Sequence, residues 1–268
     1  MSIDLTDHDA LLAAERRAWR KNGLIGAAVV VAVLISAFTT GLADVRRLID
    51  GGPAIATLIG EMFPPNFSDW TSWISPIFDT LAMSVAGTAL AVVLALPLAF
   101  VAAGNVTSGG VVYHLARIVL NFLRSIPEVI MGIIFVAAVG FGALPGVLAL
   151  GLHSVGMVGK FFAEAVEHVD PHPIEAAEAA GATRLQVIQH AILPQVLPQF
   201  ADVAVYRWEY NFRASTVMGM VGAGGIGFEL VASLRLMSYA EVSAILIAIL
   251  VMVSGVDALG ALVRRSLK

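Results

Sequence analysis

The chain has 268 residues, 58% of them hydrophobic and 13% charged, and its mean hydropathy is +0.86. A soluble domain of that composition would expose large apolar patches, so the solvent for most of this chain is lipid. The net charge of −4 argues against nucleic acid as a partner, and zero cysteines exclude a disulfide framework, a thiol nucleophile and a Cys-ligated metal.

Apolar runs of about twenty residues, the length that crosses roughly 30 Å of hydrocarbon, occur six times. The expected fold is an all-α polytopic membrane protein of six transmembrane helices. A hydrophilic tail over residues 1–22 carries Arg16, Arg17, Arg20 and Lys21 directly before the first run, Leu24 to Leu42. The tail is too long, and the run too extended, for a secretory signal. Residues 43–76 read as an irregular outside loop with Pro64, Pro65, Trp70 and Trp73 at an interface. The second run is Thr80 to Ala103. The third, Ile126 to Leu144, opens on Arg124-Ser-Ile-Pro-Glu128, where the proline suits a helix start and Arg124 and Glu128 have the spacing of an ion pair. The fourth, Gly146 to Val166, aligns His153, Lys160, Glu164 and Glu167 on one face, with Lys160 and Glu164 able to pair.

A polar segment follows, Glu175 to Pro194, EAAEAAGATRLQVIQHAILP. Pro173 suits a first helical position, the Glu175 to Ala180 run favours helix, and Gly181 permits a left-handed stop. Thr183 can cap a second helix through Leu185, Val187, Ile188 and Ile192, which Pro194 should close. Two short helices of this kind form a docking knuckle suited to a partner's groove.

The fifth run, Val196 to Met220, places Asp202, Arg207, Glu209, Asn211 and Arg213 where charge is expensive. At 100° per residue, Asp202, Tyr206, Glu209, Arg213 and Thr216 share one stripe within about 80°, and Arg207, Asn211 and Ser215 form another on nearly the opposite face. Glu209 and Arg213 are spaced to pair along the helix. Either the charges lock the bundle as ion pairs, or Arg207 or Arg213 presents donors to a passing oxyanion, with Asn211, Ser215 and Thr216 assisting. Glycines 219, 222, 224, 225 and 227 then allow close packing and an unwound helix end before an outside loop, Gly222 to Tyr239. The sixth run, Val242 to Val263, ends on Arg264, Arg265 and Lys268, so the positive-inside rule puts both termini and the knuckle in the cytoplasm.

Catalytic and metal signals fail on context. Gly222, Gly224 and Gly227 match G-x-G-x-x-G but follow a membrane helix, not a strand. There is no P-loop, no H-E-x-x-H and no complete G-x-S-x-G, and Pro171 separates His168 from His172. The chain is expected to have no catalytic residue, metal or cofactor of its own.

The knuckle resembles the EAA loop of ABC-importer permeases, with Glu175, Ala176, Ala177, Gly181, Leu193 and Pro194 in register; Ala191 stands at the family's Ile position, beside Ile192. Arg124 to Glu128, Gly146 to Ser154, Gly159 to Ala165 and Arg207 to Gly227 are similar to the phosphonate permease family of type I importers. The resemblance covers most of residues 80–268. It implies a permease domain over 78–268 with a core of five helices and coupling helices within 170–195, preceded by the tail and by a first span with its outside loop over 23–77. It also implies that Glu175, Ala176, Ala177, Glu178, Gly181, Ala182, Leu193 and Pro194 couple to an ATPase. Arg207, Glu209, Asn211, Arg213, Ser215 and Thr216 would line the substrate pathway. A homodimer in the bacterial inner membrane, two ATPase subunits holding ATP and Mg, and an extracytoplasmic solute-binding protein follow from the same resemblance. Permeases of this fold for phosphate, phosphite or an amino acid such as methionine stay open, as does an ion-coupled carrier using Asp202 and Glu209.

Overall fold

The computed structural model describes residues 5–107 and 109–266, and every described regular element is helical. The chain divides into two compact units between Glu61 and Met62. In the first, α1 spans Leu5–Thr39 and α2 spans Val45–Glu61. The stretch 45–61, expected as irregular loop, is therefore a helix. Pro53 interrupts it in sequence only, and the exposed Val45, Ile49, Ile55 and Ile59 give it an apolar side.

The second unit begins with a short 3₁₀ turn at Trp70–Trp73 and continues into α3, Ile74–Ala102. Then come α4, Val111–Ser125; α5, Glu128–Val139; α6, Ala143–Glu167; α7, Pro171–Ala179; and α8, Arg184–Val187. A π-turn at Ile188–Ile192 joins α8 to α9, Leu193–Met218, and α10, Ile226–Arg235, and α11, Tyr239–Ser266, complete the unit. Among the described residues four helices, α1, α3, α6 and α11, are long and apolar enough to cross a membrane, or six spans if each of two bent pairs counts as one.

Those bent pairs revise the third and fifth spans. Ile126 and Pro127 are extended, and α4 meets α5 across them at 87°. Proline withholds a helical N–H and biases the residue before it away from helix, so the chain turns there and starts afresh at Glu128. With 12 residues, α5 is only about 18 Å long and cannot cross alone. The expected Arg124–Glu128 pair does not form, because the break carries the two side chains apart and Glu128 faces His153 and Tyr210 instead. At the far end of α9, Gly222, Gly224 and Gly225 adopt φ of +96°, +76° and +75°, and α10 follows at 43° to the preceding helical run. The Gly222 to Tyr239 stretch, expected as loop, is thus mostly helix.

Small residues decide the packing. Ala91, Ala95, Ala99 and Ala102 form a buried stripe on α3 that meets Val155, Val158, Phe162 and Val166 of α6. A Cβ on Gly151 would sit 2.7 Å from a Leu90 methyl, and one on Gly156 would sit 2.6 Å from both the Arg124 amide nitrogen and the Leu120 carbonyl oxygen. Backbones this close gain dispersion contacts where lipid offers no hydrophobic driving force between helices. Phe162 stacks on Phe200 at 3.9 Å, tying α6 to α9.

Candidate functional site: a buried arginine relay and a docking knuckle

Midway along α3, α6 and α9 a chain of polar side chains crosses the apolar interior. Arg207 Nε donates to Ser154 Oγ at 2.8 Å, Ser154 Oγ donates to Asn211 Oδ1 at 2.9 Å, and Asn211 Nδ2 donates to Thr88 Oγ1 at 2.9 Å. Thr88 in turn donates to the Ser84 carbonyl at 2.7 Å. All five residues are buried. Each of these four bonds runs from a defined donor to a defined acceptor, so the network is directional and cooperative. One turn further along α9, Ser215 Oγ donates to the Phe212 carbonyl, and Thr80 Oγ1 accepts the Ile226 amide at 2.9 Å, which anchors α10.

Arg207 does not spend all its donors. Its guanidinium lies 4.1 Å over the Tyr210 ring, yet Nη2 is buried without a hydrogen-bond partner. Tyr210 donates to Glu128 Oε1 at 2.9 Å; Glu128 Oε2 lies 3.4 Å from His153 Nε2, and His153 Nδ1 lies 2.9 Å from the Ile126 carbonyl oxygen. The 126–127 break thus brings a carboxylate, an imidazole and a phenol beside the arginine. A permanently charged group with an unspent planar donor, in a region where an isolated charge is costly, is equipped to receive an anion.

The other charges of the fifth span are ties between helices. Arg213 Nη1 binds Asp257 Oδ1 at 2.7 Å, and Arg264 Nη1 lies 2.8 Å from Glu209 Oε1, near enough for an ion pair though not aligned as a hydrogen bond. The expected Glu209–Arg213 pair is absent because each residue finds an opposite charge on α11. An i,i+4 pair contributes only about 0.3–0.5 kcal/mol, so closer interhelical partners displace it. Glu209 sits where Gly260 leaves room: a Cβ there would collide with its carboxylate. Thr216 bonds back onto its own helix by donating to the Arg213 carbonyl, and Asp202 is exposed. On α6, Lys160 and Glu164 pair at 3.6 Å as expected, while Glu167 binds Arg117 of α4 at 2.6 Å. Thr88, Ser154, Tyr210, Glu128 and His153 were not among the expected pathway residues. Arg124-to-Glu128 and the fourth-span stripe did single out two of them, but a lone Thr or Ser in an apolar run carries no signal until its partner is known.

The knuckle is built as two short helices. It begins at Pro171, two residues before the expected Pro173, because Asp170 is the cap: its Oδ1 accepts the His172 amide at 3.0 Å. Hydrogen bonds from His172 hold the exposed Asp170 carboxyl below its ordinary range. Gly181 takes φ +79°, and Ala182 N–H returns to the Ala177 carbonyl at 3.1 Å, which closes α7. Thr183 and Gln186 form a capping box that opens α8. Pro194 does not end this helix. It falls in the first turn of α9, where its missing N–H is not needed, and the π-turn carries the chain through without a break. Glu175, Ala176 and Glu178 are exposed, Gly181 with them, whereas Ala177, Ala182 and Leu193 are half-buried against Val187, Ala191 and Ile192. Gln195 clamps the loop by accepting the Asp170 amide and donating to the Ala191 carbonyl at 2.7 Å.

A helical membrane core with a polar interior relay and a protruding helical knuckle defines a transport permease. Residues 95–268 match the family described as binding-protein-dependent transport system inner membrane component, and the chain belongs to that family as a permease subunit of an ABC importer. It is 66% identical over 250 residues to the phosphite transport system permease protein of Stutzerimonas stutzeri, covering 93% of this chain and 90% of that one. It is 42% identical over 236 residues to the phosphate-import permease protein of Mycolicibacterium smegmatis, covering 88% of this chain and 44% of that longer one. The fold is shared with the MetNI methionine ABC transporter in an inward-facing form, at TM-score 0.66 and 21% identity over 75% of this chain and 99% of that one.

Proposed function

We propose that this chain carries phosphorus oxyanions inward across the bacterial inner membrane, with phosphite the first substrate and phosphonates of the same charge and shape next. The observation that carries the reading is the unspent Nη2 of buried Arg207, midway along α9, whose Nε is held by Ser154 while the Tyr210–Glu128 pair lies beside it. The relative transporting phosphite, at 66% identity, supports the substrate class. In this reading two copies form the translocation path, both termini are cytoplasmic, and two ATPase subunits clasp the knuckle around Glu175 to Ala182. ATP and Mg are bound by those subunits and not by this chain, which supplies no catalytic group and holds no metal. A solute-binding protein delivers the anion from the other side.

The test is reconstitution of the permease with its ATPase and binding protein in nanodiscs. ATPase stimulation is measured with phosphite, phosphate, methylphosphonate and methionine. Phosphite is expected to stimulate most. Preference for methionine would remove the oxyanion reading, and uptake driven by an ion gradient without ATP would remove the importer mechanism. A preference for phosphate would shift the substrate within the same chemistry, as the Mycolicibacterium relative suggests.

A further inference from the structure

A second cationic site lies away from the Arg207 relay. Between α4 and α6, toward the end of the bundle that bears the knuckle, is a cavity of about 220 Å³ with Arg117, Asn121, Arg124, Lys160 and Glu164 on its walls. Arg117, Asn121 and Arg124 occupy positions i, i+4 and i+7, so one face of α4 presents all three. The crevice exists because α4 lies unusually close to α6: Gly156 admits the Leu120 carbonyl and Arg124 amide, and Gly159 admits a Leu120 methyl.

The charges do not cancel. Arg117 is committed, donating from Nη2 to Glu167 at 2.6 Å and from Nε to the Ala102 carbonyl at 3.1 Å. Lys160 reaches Glu164 only at 3.6 Å, and Arg124 has no ion-pair partner among the described residues. Two cations therefore face the cavity with one carboxylate between them, and Asn121 adds a neutral donor. The volume is about seven times the roughly 30 Å³ of a liquid water molecule, ample for a tetrahedral anion and its remaining water. Beside the cavity, Ile118, Phe122 and Met157 line an open apolar groove that shares Asn121 and Arg124.

We infer that this crevice binds a phosphate-type oxyanion group, held by Arg124 and Lys160 with Asn121 assisting. The group has two possible sources, a free oxyanion or the headgroup of an anionic phospholipid whose acyl chains lie along the apolar groove. The site is separate from Arg207, and the inference does not rest on which substrate the permease carries.

Full-length protein is tested in two arms. In neutral phosphatidylcholine nanodiscs, inorganic phosphate and phosphite are titrated by calorimetry. In the other arm, protein extracted from phosphatidylglycerol-containing membranes is weighed by native mass spectrometry for retained lipid. Wild type is expected to bind in at least one arm, and the arm in which Arg124→Glu lowers the binding names the source. Arg124→Glu should weaken that binding about tenfold or more, Lys160→Gln should weaken it less, and Arg124→Lys should keep most of it. Each variant's melting temperature is measured alongside; if Arg124→Glu fails to fold, the Lys160→Gln result decides. Absence of wild-type binding in both arms, or variants that bind like wild type, would overturn the inference.

Discussion

Arg207 and Gly219 show how much one side chain, or the lack of one, settles here. Arg207→Lys keeps the charge but loses the planar fork that reaches Ser154 while lying over Tyr210. Uptake of phosphite into proteoliposomes is expected to fall about tenfold, equivalent to about 1.4 kcal/mol, with a smaller change in melting temperature. If melting fell in step with uptake, Arg207 would be a structural group. A Cβ on Gly219 would enter the Phe228 amide and the Gly227 carbonyl carbon, both backbone atoms that cannot swing away. Gly219→Ala should therefore cost about 1–3 kcal/mol in thermal unfolding, as overpacking does. Gly255, whose Cβ would meet nothing within 4 Å, is the control, and Gly255→Ala should leave stability unchanged or raise it slightly.

At the scale of elements the knuckle is the clearest case, since its helices rely on caps and turns more than on burial. No residue of α7 is buried. Gly181 at φ +79° cannot become proline, whose ring fixes φ near −65°. Gly181→Pro should leave insertion intact yet uncouple ATP hydrolysis from uptake in reconstituted vesicles; normal coupling would detach the knuckle from the motor. The turn was legible beforehand because its signals are local: Gly181 follows an Ala-rich helix and Thr183 can cap the next one, whereas Gln186 completes the box only in the folded structure. What was not legible was α4. Its apolar and basic residues alternate with a strong helical period but make no twenty-residue apolar run, and hydropathy alone starts the third span at Ile126, after α4 has ended at Ser125.

Across the whole permease unit, two ionic ties join α9 to α11 at 2.7 and 2.8 Å, Arg213 to Asp257 and Glu209 to Arg264. Asp257→Arg should lower the melting temperature by placing two cations together, and adding Arg213→Asp should recover most of the loss; a double variant no better than the single would show that the pair does not hold the helices. The Arg213–Asp257 pair is half-exposed, so its net contribution is modest. Composition, apolar run length, the basic flanks and the coupling motif are properties of contiguous sequence, and from them alone the membrane class, the helical fold, the family and the Gly181 and Thr183 turn of the knuckle could be read, though not its first cap, Asp170. The partners of the buried charges could not. Glu209 and Arg213 are ideally spaced for each other, and which opposite charge lies nearer depends on how α9 and α11 pack, a distance that no spacing along one helix encodes. The same holds for the relay from Arg207 to Thr88, whose members lie 53 to 123 residues apart and meet only when α3, α6 and α9 close on one another.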